Sequence, residues 1–131
     1  MPHTPIVPAG SAPPLAPYSP GVAMSASARI VHVSGMLALD AKGQIVGRGD
    51  VRAQTRCVLD AIAAVVEAAG GSLADVAMNQ IFLTDLGDYA AFNEVYREYF
   101  PTNHPARYCV RADLVKPEFL VEVVATAYVG E

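Results

Sequence analysis

Apolar and polar positions alternate most sharply in the last quarter of the chain. Tyr108, Val110, Ala112 and Leu114 share one parity, and Arg107, Cys109, Arg111 and Asp113 share the other. A strand over 107–114 sends these sets to opposite faces. One face is ordinary packing, and the other carries a guanidinium, a thiol and further charge. A solvated strand face fits that pattern, and so does the wall of an anion-binding cavity. The same period predicts a last strand over 120–129, with Val121, Val123, Ala125 and Ala127 on one side and Glu122, Val124, Thr126 and Tyr128 on the other. Both sides are largely apolar, which marks a strand buried on both faces. Glu122 is the odd residue, because a carboxylate among valines is costly unless paired or hydrated. A structural ion pair with Arg107 or Arg111 accounts for it. So does a general acid/base whose pKa is raised by burial.

Upstream, the period lengthens to that of a helix. Thr55, Val58, Leu59, Ile62, Val66 and Ala69 recur at helical spacing behind an Asp50 cap, and Gly70-Gly71 closes the run. Cys57 lies within it as a small packing residue. Tyr89, Phe92, Tyr96 and Tyr99 form a second apolar stripe, opened by Asp85 or Asp88 and stopped by Pro101. Asn93 borders that stripe, either as a surface amide or as one pointing into a site. Between the helices, Ser72–Asp75 has capping-box spacing with Asp in place of Glu or Gln, and a strand spans Val76–Thr84 with polar Asn79 and Gln80 at its middle. Val22–Gly35 is hairpin-like, with a short strand at 22–24, a turn at 25–28 and a β-branched strand from Arg29 ending at Ser34-Gly35. Asp40–Gly43 predicts a turn, Gln44–Val46 a short strand, and Lys116–Glu118 a further turn. Seven of the ten prolines fall in residues 1–20, which predicts an extended arm rather than an element. Tyr18 sits in it, as a hydrophobic anchor or as a group closing a site.

Two helices alternating with strands predict a two-layer α+β or α/β sandwich. Two helices cover only one face of the sheet, so the other face needs a partner. A homo-oligomer is the simplest answer, with a cleft at the interface lined by Arg107, Cys109 and Glu122.

Composition narrows the function classes. A chain of 131 residues that is 53% hydrophobic and 17% charged can bury a single core without metal or disulfide. Its net charge of −4 weighs against nucleic acid and anionic membrane surfaces as partners. No apolar run is long enough for a membrane span, and no signal peptide is expected. Cys57 and Cys109 have no motif spacing and read as two free thiols in a reducing cytoplasm. The three histidines are scattered and no cluster has zinc-ligand spacing, so no metal is expected.

Taken in order, Pro17-Tyr18, Val33-Ser34-Gly35, Gln54-Thr55-Arg56, Asn93-Glu94-Val95-Tyr96, Tyr99-Phe100, Pro105-Ala106-Arg107 and Val121-Glu122-Val123 resemble the RidA/YjgF family of reactive-intermediate deaminases, from about residue 7 onward. Asp88–Ala91, Pro105–Cys109 and Leu114–Glu118 look like its RutC branch, assigned to 3-aminoacrylate deamination in pyrimidine (uracil) breakdown. Asp113 and Ala38 depart from that branch, where glycine and proline are usual.

The resemblance implies a chorismate-mutase-like two-layer α+β fold, with a mixed sheet of about six strands and two helices on one face. It implies a homotrimer with an inner barrel, ligand sites between subunits, and no cofactor or metal. Residues 1–17 would be the proline-rich arm and 18–131 a single deaminase domain. Arg107 would hold the substrate carboxylate. Glu122, with the backbone carbonyl of Cys109, would place and activate a water. Ser34 and Gly35 would contact the ligand through backbone groups, Tyr18 would close the pocket, and Asn93 would support it. A Cys109 nucleophile would need a base, and no histidine is placed by sequence to serve. A general 2-aminoacrylate or 2-imino acid deaminase, a non-catalytic carboxylate binder and an RNA-cleaving protein are the alternatives.

Overall fold

A computed structural model describes residues 3–25 and 27–130. Six strands and two helices form in it: β1 (Thr4–Ile6), β2 (Gly21–Ala23), β3 (Arg29–Met36), α1 (Val51–Ala68), β4 (Val76–Leu83), α2 (Tyr89–Tyr99), β5 (Ala106–Arg111) and β6 (Val121–Val129). The strands divide between two sheets. β1 and β2 make an antiparallel ribbon, and the main sheet has the order β3-β6-β4-β5, with only β4 and β5 parallel.

The helices start and stop where their caps predict. The Asp50 carboxylate accepts from the Ala53 backbone N–H at 3.1 Å, and Thr55, Val58, Leu59, Ile62 and Val66 are buried along α1. Gly70, at φ +92°, follows the helix in a left-handed conformation that glycine adopts without strain. The capping box forms with its aspartate: Ser72 Oγ accepts from Ala74 N–H at 3.3 Å, and Asp75 Oδ2 accepts from Ser72 N–H at 2.8 Å. Of the two candidate caps for the second helix, Asp85 is engaged. It caps a single 3-10 turn, Leu86–Asp88, that leads into α2, while Asp88 makes no side-chain cap bond. The helices lie side by side, joined by exposed Arg52–Glu94 and Arg56–Glu98 pairs, each at 2.9 Å, and by the Tyr99 hydroxyl donating to Asp60 at 2.8 Å. Exposed pairs of this kind contribute at most about 1 kcal/mol each. Burial of Phe92, Val95 and Tyr96 against α1 and the sheet supplies more. Buried Gln54 ties α1 to the loops around it, donating to the carbonyls of Gly47 and Glu118 and accepting from Leu120 N–H.

Four expectations are corrected. First, Val22–Gly35 is not a hairpin. β2 pairs with β1, and β3 pairs with β6, where Val31 and Val33 face Ala127 and Ala125 on the buried side. Joining the core outweighs the shorter loop closure of a local pairing. Ala26, within the expected 25–28 turn, and Pro2, within the arm, lie outside the described residues. Second, the arm is not wholly irregular. Pro5 sits within β1, tolerated because this narrow ribbon asks few donors of it. Third, Gln44–Val46 forms no strand, only an isolated bridge between Leu39 and Ile45 across the Asp40–Gly43 turn. Fourth, β5 stops at Arg111 rather than Leu114, because its parallel partner β4 ends at Leu83.

Both helices cover one face of the main sheet. Val33, Ile81, Leu83, Val121, Val123, Ala125, Ala127 and Val129 lie buried beneath them. The opposite face presents Ile30, His32, Phe82, Val110, Glu122, Val124, Thr126 and Tyr128, all partly or fully exposed. The last strand is thus apolar on both sides but fully buried on one only. No helix among the described residues is long and apolar enough to cross a membrane.

Candidate functional site

Arg107 occupies β5 directly beside Asn79 of β4, which in turn faces Ala125 of β6. All three point to the helix-covered side. There α2 meets the guanidinium: Arg107 Nη2 donates to Asn93 Oδ1 at 2.7 Å and to the Tyr89 hydroxyl at 3.1 Å. Three rings surround the charge, with Arg107 Cζ lying 4.7 Å from the Tyr96 centroid, 5.7 Å from Tyr89 and 5.9 Å from Phe92. Aromatic faces attract a cation at such distances. Arg107 Nη1 is buried and, among the described residues, makes no hydrogen bond of ordinary geometry. A planar guanidinium fork held in place by α2 is suited to an incoming carboxylate.

Beneath this lies a second polar layer. Asn79, fully buried, donates through Nδ2 to the Tyr96 hydroxyl at 2.8 Å, while its Oδ1 finds no partner among the described residues. Burial pushes the Tyr96 phenol up to about 12, against the pull of Asn79 and of Arg107. Tyr96 is therefore neutral in the ordinary pH range and serves as a rigid support.

A cavity of about 370 Å³ opens above the guanidinium, lined by Tyr18, Leu86, Tyr89, Arg107, Tyr108 and Cys109. The arm delivers Tyr18 to it. Ser19 N–H donates to the Pro105 carbonyl at 3.1 Å, the Ser19 hydroxyl donates to the His104 carbonyl, and the His3 ring bonds the Asn103 carbonyl at 2.8 Å. The arm is thus fastened to the loop that leads into β5. Burial raises the Cys109 thiol above its ordinary value, more than the neighbouring Arg107 lowers it. A thiol held protonated is a poor nucleophile, and Cys109 lines the cavity.

The expected site residues divide into two groups. Tyr18, Asn93, Arg107 and Cys109 come together. Ser34, Gly35 and Glu122 lie elsewhere, on β3 and β6, where the Glu122 carboxylate packs so closely on Gly35 that a Cβ there would stand 2.0 Å from Glu122 Oε2. Glu122 is in register with Phe82 and Val110 on the open face, opposite the face that carries Arg107. Among the described residues no ion pair joins Glu122 to Arg107 or Arg111. Tyr89, Leu86, Asn79 and Tyr96 were not foreseen in the site. Tyr89 and Asn93 stand four apart, on one helix face, and that spacing could have linked them. Among the described residues no group of three or more His, Cys, Asp or Glu side chains could hold a metal ion.

The fold and the cavity together define a two-layer α+β protein with an arginine-floored pocket at a sheet edge. Residues 9–129 match the family model described as Endoribonuclease L-PSP, and the chain belongs to this family, the YjgF/RidA family, with its chorismate-mutase-like fold. A protein of unknown function of the Rid family from Yersinia pestis, YyfB, is 29% identical, with a TM-score of 0.88 over 98% of this chain and 100% of that one. A YjgF-family protein from Mycobacterium tuberculosis is 32% identical, with a TM-score of 0.67 over 86% of each chain. Another from Neisseria meningitidis is 32% identical, with a TM-score of 0.69 over 78% of this chain and 81% of that one.

Proposed function

We propose that the protein is an enamine/imine deaminase acting on a small carboxylate-bearing substrate, 3-aminoacrylate, in pyrimidine breakdown. The observation that carries this reading is Arg107, fixed on one side by Asn93 and Tyr89 and lining the cavity with its guanidinium. The carboxylate docks on that guanidinium. The enamine takes a proton on carbon and becomes an iminium. Water adds to the iminium carbon, forming a C–O bond, as Glu122 removes its proton and the Cys109 carbonyl helps hold it. The C–N bond then breaks with the proton held by Glu122 delivered to nitrogen, while the new hydroxyl loses its own proton to solvent and becomes the carbonyl, releasing ammonia and malonic semialdehyde. One positioned acid/base group contributes about 10²–10⁴-fold, and orientation of the bound carboxylate adds to it.

Within one protomer Glu122 and Arg107 lie on opposite faces of the sheet. The proposed assembly is a homotrimer in which the pocket at the edge strand β5 is closed by the open face of a neighbour, bringing the neighbour's Ser34, Gly35 and Glu122 to the bound substrate. Residues 18–131 form the proposed catalytic domain, with the 1–17 arm steering Tyr18. The proposed compartment is the cytoplasm, where two free thiols are at home.

Replacing Arg107 by alanine is expected to abolish ammonia release from freshly generated substrate while the oligomer persists; an Arg107→Ala enzyme of full activity overturns the reading. Side-by-side rates on generated 3-aminoacrylate and 2-aminoacrylate separate the named substrate from a general 2-imino acid deaminase. A non-catalytic carboxylate binder would bind without accelerating the spontaneous reaction. The family description names an endoribonuclease. A net charge of −4 and a cavity wall with one guanidinium offer little to a phosphate backbone.

A further inference from the structure

We infer that Tyr89 is a direct substrate contact: its hydroxyl donates the second hydrogen bond to the carboxylate that Arg107 anchors. The inference rests on the reading of Arg107 as a carboxylate anchor and adds a specificity residue to it. Two hydrogens on Arg107 Nη2 are both spoken for, by Asn93 Oδ1 at 2.7 Å and by the Tyr89 oxygen at 3.1 Å. Tyr89 is therefore the acceptor in that bond, and a phenol that accepts still has its own proton to donate. Among the described residues no protein group takes that proton. Tyr89 is 37% exposed and lines the cavity, so the donor is open to the ligand. Polarisation by the guanidinium makes it a better donor than an isolated phenol.

A carboxylate entering the cavity thus meets two neighbouring donor groups that line it, the Arg107 guanidinium and the Tyr89 O–H. One oxygen goes to each. A neutral amide matches this pair poorly, since its NH₂ end would face a donor. Tyr89 thereby sharpens the choice of carboxylate over amide, a task that guanidinium charge alone does less well.

Tyr89→Phe removes the hydroxyl and keeps the ring beside the guanidinium, so the cavity wall stays intact. Calorimetric titration with propanoate, with propanamide as the neutral control, reads binding without chemistry. The wild-type protein is expected to bind propanoate and not propanamide. Tyr89→Phe is expected to weaken propanoate by about tenfold, in keeping with a hydrogen bond to a charged group, and to raise KM for the enamine by a similar factor with kcat little changed. Equal propanoate affinity in Tyr89→Phe and wild type overturns the inference, as does a wild-type protein that binds propanoate no better than propanamide. Tyr89-dependent propanoate binding without enamine turnover sinks the deaminase reading and leaves the carboxylate contact standing. Turnover with a KM indifferent to Tyr89→Phe does the reverse.

Discussion

Asn79 and Tyr96 hold polar atoms inside the core. The amide is wholly buried and its single bond runs to the phenol. Tyr96→Phe strands that amide, and a stranded buried polar group costs about 1–3 kcal/mol, to be read as a lower urea midpoint near neutral pH. Converting Asn79 to valine in the same chain removes the stranded group and is expected to recover part of the loss. The phenol also sets a pH limit. An unfolded tyrosine ionises near 10, whereas folded Tyr96 keeps its proton to about 12. The folded state binds more protons across that interval, so this contribution is fully present below about pH 10 and is lost as pH rises toward 12. Tyr99, also raised to about 12, acts in the same direction with more solvent screening. Tyr96→Phe is expected to flatten the alkaline fall in stability; an unchanged slope argues that Tyr96 ionises no differently in the two states. Asn79 was legible in the sequence as a polar residue in an apolar strand. Its partner was not, because strand periodicity gives a face and says nothing about which helix will cover it.

The strands and helices were legible wherever one face had to be buried. α1, α2, β4 and β6 follow from spacing and caps, since a slip of one residue would turn their apolar sets to solvent. Pairing was less legible. β3 could have closed a hairpin with β2 by sequence distance, and only the core behind β6 decides otherwise. The irregular step in the β3–β6 register between Val33 and Met36 was likewise invisible, and it matters because Gly35 lies within it, beneath the Glu122 carboxylate. A methyl at Gly35 would stand 2.0 Å from Glu122 Oε2 and 3.0 Å from its Cδ. The obstacle is the far end of a flexible side chain, so the carboxylate can swing aside at little cost to folding. Gly35→Ala is therefore expected to melt within a few degrees of the wild type, yet to lose about 10²-fold or more in ammonia release as its proposed acid/base group is displaced. A Gly35→Ala protein with full turnover shows that the position of Glu122 is immaterial.

At the scale of the whole molecule, the open sheet face and the divided site pose one problem with one answer. Ile30, Tyr108 and Val110 are 56%, 42% and 43% exposed, on a face that also carries Phe82, Val124 and Tyr128. A face of this kind is ordinarily covered. Arg107 and Glu122, meanwhile, project from opposite sides of the same sheet, and no side-chain rotation carries one through the backbone to the other. The sequence brought them into one cleft only by assuming a partner, because parity along each strand can be read but the relation of one strand's faces to another's needs the register. In the proposed trimer each site takes Arg107 from one protomer and Glu122 from the next, and this has a consequence that a self-contained site lacks. Arg107→Ala and Glu122→Ala trimers are each expected to be inactive. If the two are unfolded together in equal amounts and refolded, a site is whole only where a protomer with intact Arg107 precedes one with intact Glu122. Random assembly gives about a quarter of the sites that pairing in a closed ring. Ammonia release should therefore rise from near nothing to about a quarter of the wild-type rate per protomer, and should not rise when the two variant trimers are mixed without unfolding. A refolded mixture of normal trimers that is as inactive as its parents shows that Arg107 and Glu122 do not complement each other across a subunit boundary, and the proposed division of the site fails with it.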